Sequence, residues 1–327
     1  MIRVAIDVSP LAQTRAGTAR YLTGLMRELQ RRDDVAVTTR SFGGKSRLST
    51  LVRDGVWYPF LLGREGAADV LHCPTYRGPL RTRVPLVVTV HDLAVLRHPE
   101  AFNRWTRTYS PRVVPGVLRV ARRVIAVSQF TRRELIELLG VPDDKIRVVP
   151  NAVGDEFTQE GPAEGGDYVL AVGTLEPRKN LDRLVEAVRR TDLELRVVGA
   201  RGWGGVEVSG NGVQWLGEVD DAELARLYRG AACVAYPSLY EGFGIPVLEA
   251  MACGVPVVTT RGTAMEEVAD GAAVLVDAQD PAEIAAGIER AATERDTLVS
   301  RGLERARAFR WDAVAAATVE VYREAAE

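Results

Sequence analysis

A dozen short apolar runs alternate with helical stretches along these 327 residues, and that alternation leaves few folds open. In the first half, residues 4–8, 35–39, 70–72, 86–90, 124–127 and 146–149 read as strands. In the second, residues 168–172, 195–198, 213–216, 233–236, 255–259 and 273–276 do so. Residues 18–31, 131–139, 180–189, 221–229 and 281–292 carry helical spacing between them. Strand–helix alternation gives βαβ units and parallel sheets, and so many strands suit two sheets better than one. The predicted class is α/β: two doubly wound, Rossmann-like parallel-sheet domains facing across a cleft. The Gly-, Pro- and acid-containing stretch 152–167 is the expected linker, so the domains fall at 1–155 and 166–310. A last helix, within 311–327, is expected to pack across the domain junction. Doubly wound sheets bind ligands at the carboxyl ends of their strands, which fixes where to look for chemistry.

Charge is unevenly spread. Residues 1–150 hold 25 Lys and Arg against 13 Asp and Glu; the remainder holds 17 against 31. Seven arginines stand in residues 97–123 beside Glu100 alone. Two solvated faces attracting across a cleft explain this, as does a basic first domain meeting anionic lipid or a phosphate-bearing acceptor. Nucleic acid is a poorer partner, because no stacking-aromatic or helix-turn-helix pattern accompanies the charge. No run of eighteen apolar residues is present, and the N-terminus enters a strand directly, so a cytoplasmic protein is expected. Cys73, Cys233 and Cys253 are odd in number, widely spaced and set among apolar residues, and read as reduced core residues.

The densest chemical signal is the stretch 232–260, ACVAYPSLYEGFGIPVLEAMACGVPVVTT. It reads as strand, glycine loop, short helix and strand, with Pro246 in the first turn of the helix. Amides from Gly242 through Phe243 and Gly244 to Ile245 would converge beside the positive end of that helix, a natural anion site. Glu241 and Glu249 bracket the spot with seven residues between them. Neither carboxylate can face a bound phosphate, so each should face hydroxyl groups; a carboxylate gripping a vicinal diol is how dinucleotide folds hold ribose. A surface loop with two solvated glutamates is the bland alternative.

The run EGFGIPVLEAMACGVPVV resembles the Glu-x7-Glu motif of retaining, nucleotide-sugar-dependent glycosyltransferases of family 4, the group 1 glycosyltransferases, which have the GT-B fold. The match is long and ungapped. It is specific for the superfamily and uninformative about substrate.

Other motifs take their meaning from that resemblance. Gly17 and Thr18 sit where a loop becomes a helix; alone they would be ordinary capping, and in the family this is a second phosphate-facing helix start. His91 ends a buried strand in VTVHDL, and the resemblance matches it to the active-site histidine that meets the transferred sugar. His72 and His98 have no such placement. In VGTLEPRKN, Arg178 and Lys179 are placed for a diphosphate, Arg as a fork and Lys as a point charge. Glu176 reads as holding that loop. Relatives often carry an arginine where this chain has Thr174. Near Val219, backbone groups meet the base in the family.

Two decoys are set aside. FGGKS at 42–46 resembles a P-loop end, but Thr39 stands where its first glycine belongs and little helix-forming sequence follows. No Gly-x-Gly-x-x-Gly follows a strand. No Asp-x-Asp occurs either, so a metal-bridged diphosphate is not expected, and no metal or other cofactor is invoked. The resemblance thus implies a retaining, mannosyltransferase-like hexosyltransferase of glycan biosynthesis. Its donor is a nucleotide diphosphate sugar, GDP-mannose before UDP-sugars, and its acceptor a glycan, lipid-linked or small molecule. His91 and Glu241 are its catalytic residues, and peripheral contact with anionic membrane runs through residues 97–123. A GT-B sugar-nucleotide epimerase, a phosphorylase or hydrolase, and a non-catalytic sugar-nucleotide-binding protein share most of these features.

Overall fold

The computed structural model describes residues 1–13, 17–44, 46–102, 104–206 and 208–327. The chain divides into two compact units, Met1–Ala152 with Arg310–Glu327, and Val153–Phe309. The C-terminal segment therefore returns to the first unit, and the expected linker counts with the second.

Unit 1 runs β1 (Ile2–Asp7), α1 (Gly17–Leu29), β2 (Val35–Arg40), α2 (Arg47–Val52), β3 (Val70–Cys73), β4 (Leu86–Val90). It continues α3 (Ala94–Arg97), α4 (Arg104–Val120), β5 (Arg123–Ala126), α5 (Gln129–Leu139) and β6 (Ile146–Val148). Its six strands pair in the order β2-β1-β3-β4-β5-β6, all parallel. The order reverses between β1 and β3, so a ligand crevice belongs at the carboxyl ends of those strands.

Unit 2 runs β7 (Tyr168–Val172), α6 (Leu181–Val188), β8 (Glu194–Val198), β9 (Val213–Gly217), α7 (Asp221–Gly230), β10 (Cys233–Tyr236). Then come α8 (Ile245–Ala252), β11 (Val257–Thr260), α9 (Ala264–Ala269), β12 (Val274–Val276), α10 (Pro281–Thr293) and α11 (Arg295–Ala306). Its order, β12-β11-β10-β7-β8-β9, is the dinucleotide-fold order, with the reversal between β7 and β10. The two stretches already singled out, 173–180 and 237–245, are the loops that leave those two strands.

The last helix, α12 (Trp311–Ala326), is part of the unit 1 core. Its Val314, Val319 and Tyr322 are buried with Tyr21, Leu25 and Val70. Tyr322 shares a 2.8 Å hydrogen bond with His72 Nδ1, and Glu324 pairs with Arg123 and Arg147 at 3.0 and 2.7 Å. Gly24 of α1 lies flat under Trp311; a Cβ there would meet the indole at 2.3 Å.

Five helices, α2, α3, α4, α9 and α11, have no counterpart in the helical spacing of the sequence. α4 carries Pro111 and Pro115 in its interior, and proline reads as a helix breaker, yet Ser110, Val114, Val117 and Leu118 are buried at helical spacing. The sequence reading also found little helix after residues 42–46. The structure corrects this: Ser46 caps α2, accepting from the Ser49 amide at 3.1 Å, and a π-helical stretch (Arg53–Leu61) continues it. Lys45 of that decoy lies outside the described residues. The three cysteines are buried free thiols.

Candidate active site

The unit 2 crevice is built by two loops. The first leaves β7 and makes a single tight turn, Pro177–Lys179, before α6. Asn180 sits in the left-handed region (φ 59°) between turn and helix, and its amide donates to the carbonyls of Pro237 and Ala278 at 3.1 and 2.6 Å. That buried fork ties the first loop to the second. The Leu239 amide adds a 2.9 Å bond to the Arg178 carbonyl. The second loop leaves β10 and ends at Gly244, φ 108°, the residue before α8. A side chain there would be strained and would meet Met265 at 2.9 Å. No side chain caps α8, and Pro246 lies in its first turn.

Between the loops lies a compact charge cluster. Lys179 Nζ donates to Glu241 Oε1 at 2.6 Å and to the Tyr236 hydroxyl at 2.5 Å. Arg178 reaches Glu241 Oε2 at 2.7 Å, Glu176 Oε1 at 2.6 Å and the Tyr240 carbonyl at 2.6 Å. Burial by itself would raise the Glu241 pKa, but the Arg178 and Lys179 charges override it and hold the carboxyl at about 2. Burial lowers the Lys179 pKa against the opposing pull of Glu241. Burial also pushes the Tyr236 phenol well above its usual range, so it stays a neutral donor, giving Glu241 Oε1 a 3.1 Å bond.

Glu249, in the second turn of α8, is 1% exposed and accepts from the Tyr228 hydroxyl at 2.9 Å. Tyr228 in turn packs edge-on against Phe157, centroids 5.8 Å apart, from the stretch read as a linker. Val219 stands half-buried in the loop between β9 and α7. Arg178, Lys179, Glu241, Gly242, Phe243, Gly244 and Ile245 thus gather at the strand-order reversal, with Glu249 one helical turn behind. Tyr236, Tyr228 and Asn180 were missed. The tyrosines read only as strand and helix residues, and the buried polar end of an aromatic leaves no mark in the apolar pattern.

In unit 1, His91 follows β4, its Nε2 sharing a 3.0 Å bond with the Pro74 carbonyl at the end of β3. Burial lowers its pKa and so favours the neutral ring, against the opposing pull of Asp92 and of the Pro74 carbonyl. The Tyr21 ring meets it edge-on at 4.8 Å, which brings the first turn of α1, with Gly17 and Thr18, to the same end of the sheet. Residues 14–16, which precede that turn, lie outside the described residues. His72, expected to be structural, is buried between Thr89 (2.9 Å) and Tyr322. Of the arginines at 97–123, Arg97 is held by Glu134 at 2.6 Å and Arg123 by Glu324; Arg104, Arg107 and Arg112 are exposed.

Known proteins place this geometry. Residues 154–307 match the model of glycosyl transferases group 1, and residues 15–157 that of glycosyltransferase family 4. O-antigen chain mannosyltransferase B of Escherichia coli is 32% identical over 282 residues, 78% of this chain and 74% of that protein. The chain belongs to glycosyltransferase family 4. An MMP alpha-(1->4)-mannosyltransferase of Mycolicibacterium hassiacum is 32% identical over 81% of this glycosyltransferase and 72% of its own length. A D-inositol 3-phosphate glycosyltransferase of Geodermatophilus obscurus is 34% identical, the match spanning 76% of this chain and 63% of that one. The GT-B fold is shared with Anabaena HepE, solved with UDP and glucose (TM-score 0.77, 20% identity, 98% of this chain and 99% of that one). WaaG, a glycosyltransferase of lipopolysaccharide biosynthesis, also shares it (TM-score 0.69, 15% identity, 97% and 99%). The glycosyltransferase therefore is an α/β enzyme of two six-stranded parallel sheets, and no described helix is long and apolar enough to cross a membrane.

Proposed function

We propose that this glycosyltransferase transfers a hexose, mannose before others, from a nucleotide diphosphate sugar with retention of anomeric configuration, and that GDP-mannose is its donor ahead of UDP-sugars. The observation that carries the donor site is the cluster at the strand-order reversal: two cations from one loop gripping Glu241 of the other, which leads into the uncapped start of α8. The two mannosyltransferases among its relatives favour mannose.

The diphosphate is held by Arg178, Lys179 and the amides of Gly242–Ile245, with Gly17 and Thr18 offering a second helix start from unit 1. These groups meet the charge that grows on the leaving group, so side chains and amides replace a bridging metal. Glu249, fixed by Tyr228, takes the ribose hydroxyls, and the loop at Val219 takes the base. Glu241, released from its cations by the diphosphate, takes a hydroxyl of the transferred sugar. A neutral His91, whose Nε2–H is given to the Pro74 carbonyl, accepts a hydrogen bond at Nδ1 near the reacting carbon. The acceptor attacks from the leaving-group face, and the departing phosphate oxygen takes its proton. Acceptors are glycans, lipid-linked sugars or small molecules; a basic unit 1, with residues 97–123, would hold such acceptors near anionic membrane in the cytoplasm.

The experiment is nucleotide release from GDP-mannose, UDP-glucose and ADP-glucose, with and without EDTA, followed by NMR of the product anomer. EDTA-insensitive release from GDP-mannose with an α product supports the reading. Release dependent on added metal, or an inverted product, contradicts it.

A further inference from the structure

Residues 48–61 expose much of their apolar surface. In this surface segment, α2 and the π-helical stretch after it, the charged Arg53 and Asp54 face inward together with Tyr58 and Pro59, while six other apolar side chains face out. Arg53 is 3% exposed and Asp54 fully buried; Asp54 accepts from Trp105 Nε1 at 2.9 Å, and its backbone carbonyl from the Tyr109 hydroxyl at 2.9 Å. On the outer side Leu48 is 71% exposed, Phe60 62% and Leu51 48%, with Val52, Val56 and Leu61 beside them. An ordinary surface helix buries its apolar stripe and wets its charges. Here Arg53 and Asp54 share the inner face with Tyr58 and Pro59, and the leucines, valines and Phe60 of the outer side are left to solvent as an apolar ridge.

A basic rim flanks the ridge on one side. There an open groove of about 550 Å³ is lined by Trp57, Leu61, Arg40, Arg64, Glu65 and Arg83. Arg40 is neutralised by its contact with Glu65, while Arg64 and Arg83 are exposed and have no carboxylate partner among the described residues. On its inner face the segment meets α4 through Asp54, Trp105 and Tyr109, and α4 carries exposed Arg104 and Arg107 in its first turn. Protruding leucine and phenylalanine with arginine along one edge is the chemistry of an interfacial membrane contact. A protein partner of this ridge would be expected to answer the arginines with acids, and the occupant we favour supplies them as lipid phosphates.

We propose that residues 48–61 form a membrane-contact ridge, its apolar side chains entering the interfacial layer of an anionic bilayer while Arg64 and Arg83 meet lipid phosphates. This deepens the proposed reading of unit 1 as a membrane-facing unit, on which it rests, and is separable from the donor-site reading, since none of these residues lies in unit 2.

The full chain is sedimented with vesicles of phosphatidylcholine alone and of phosphatidylcholine with 30% phosphatidylglycerol (a ratio of about that size raises the surface charge). Partition onto the anionic vesicles only is expected. L51D/F60D should cut it tenfold or more, and R64E/R83E should remove its salt-sensitive part, with circular dichroism and the GDP-induced thermal shift of both variants unchanged. Undiminished sedimentation of both variants overturns the proposal, as does no sedimentation of the native chain. So does a native dimer on gel filtration that L51D/F60D abolishes, which would make the ridge an interface between copies. Loss of the thermal shift in the native chain would instead count against the donor reading alone.

Discussion

Lys179 Nζ and Glu241 Oε1 lie 2.6 Å apart, inside a pocket where both side chains are 11% exposed. With Arg178 on the other carboxylate oxygen, Glu241 is an anion gripped by a guanidinium and a point charge. In the proposed donor site a diphosphate would displace it and free the carboxylate for a hydroxyl of the sugar.

Replacing Glu241 with Gln separates those two roles. Without a resident anion to displace, GDP or UDP alone should bind about tenfold tighter, a change of about 1.4 kcal/mol. Turnover of the nucleotide sugar should fall by about a hundredfold or more, for want of the sugar contact. Calorimetry with the bare nucleotide and initial rates with the sugar nucleotide read the two. Weaker binding of the bare nucleotide would show that Glu241 does not compete with phosphate.

Removing the cation exposes the opposite cost. Lys179→Ala leaves a buried carboxylate with Arg178 alone and should destabilise unit 2 by about 3 kcal/mol, besides weakening donor binding. Lys179→Ala with Glu241→Ala should recover much of that stability while nucleotide affinity stays low. Urea unfolding followed by tryptophan fluorescence measures it, and strict additivity of the two losses would mean the pair is not coupled.

The pair also sets an acid-stability window. The Glu241 carboxyl, ordinarily near 4.5, titrates at about 2 in the folded chain. Its folded pKa is depressed, so its contribution is fully present above the ordinary carboxyl value and is lost as pH falls from about 4.5 towards 2. At neutral pH it amounts to roughly 3 kcal/mol. The stability gap between the native chain and Glu241→Gln should narrow across that interval and stay flat from pH 5 to 8. A gap that widens on acidification would refute the sign.

In unit 1, Gly24→Ala forces a methyl into the face of Trp311 and should cost about 1–3 kcal/mol by overpacking. Gly24→Ala combined with Trp311→Leu should recover part of it. A melting temperature unchanged by Gly24→Ala would mean that α12 does not seat on α1 as described.

Sheets and most helices could be read directly, because buried parallel strands leave continuous β-branched runs such as LVVTV at β4 and CVAY at β10. The glycine loop was legible for a related reason: Gly244 takes φ 108°, a region glycine favours, and Pro246 is best accommodated in a first helical turn. What stayed hidden was tertiary. Nothing local says that Asn180 reaches across to Pro237 and Ala278, or that Tyr236 joins Lys179 and Glu241. α4 was obscured by its own prolines. The end of α12 has an amphipathic pattern that tells a helix from a strand, but not which core it completes. Residues 48–61 were the hardest, since a segment that buries Asp54 and exposes Phe60 inverts the rule by which such patterns are read.

The most direct measurement is a thermal-shift titration of the native chain and the Arg178→Ala/Lys179→Ala variant with GDP, UDP and ADP, without added metal. One nucleotide diphosphate, GDP first, should raise the native melting temperature in a saturable way and leave the variant unmoved. No shift with any of the three, or an equal shift in both proteins, would contradict a diphosphate site built on those two cations.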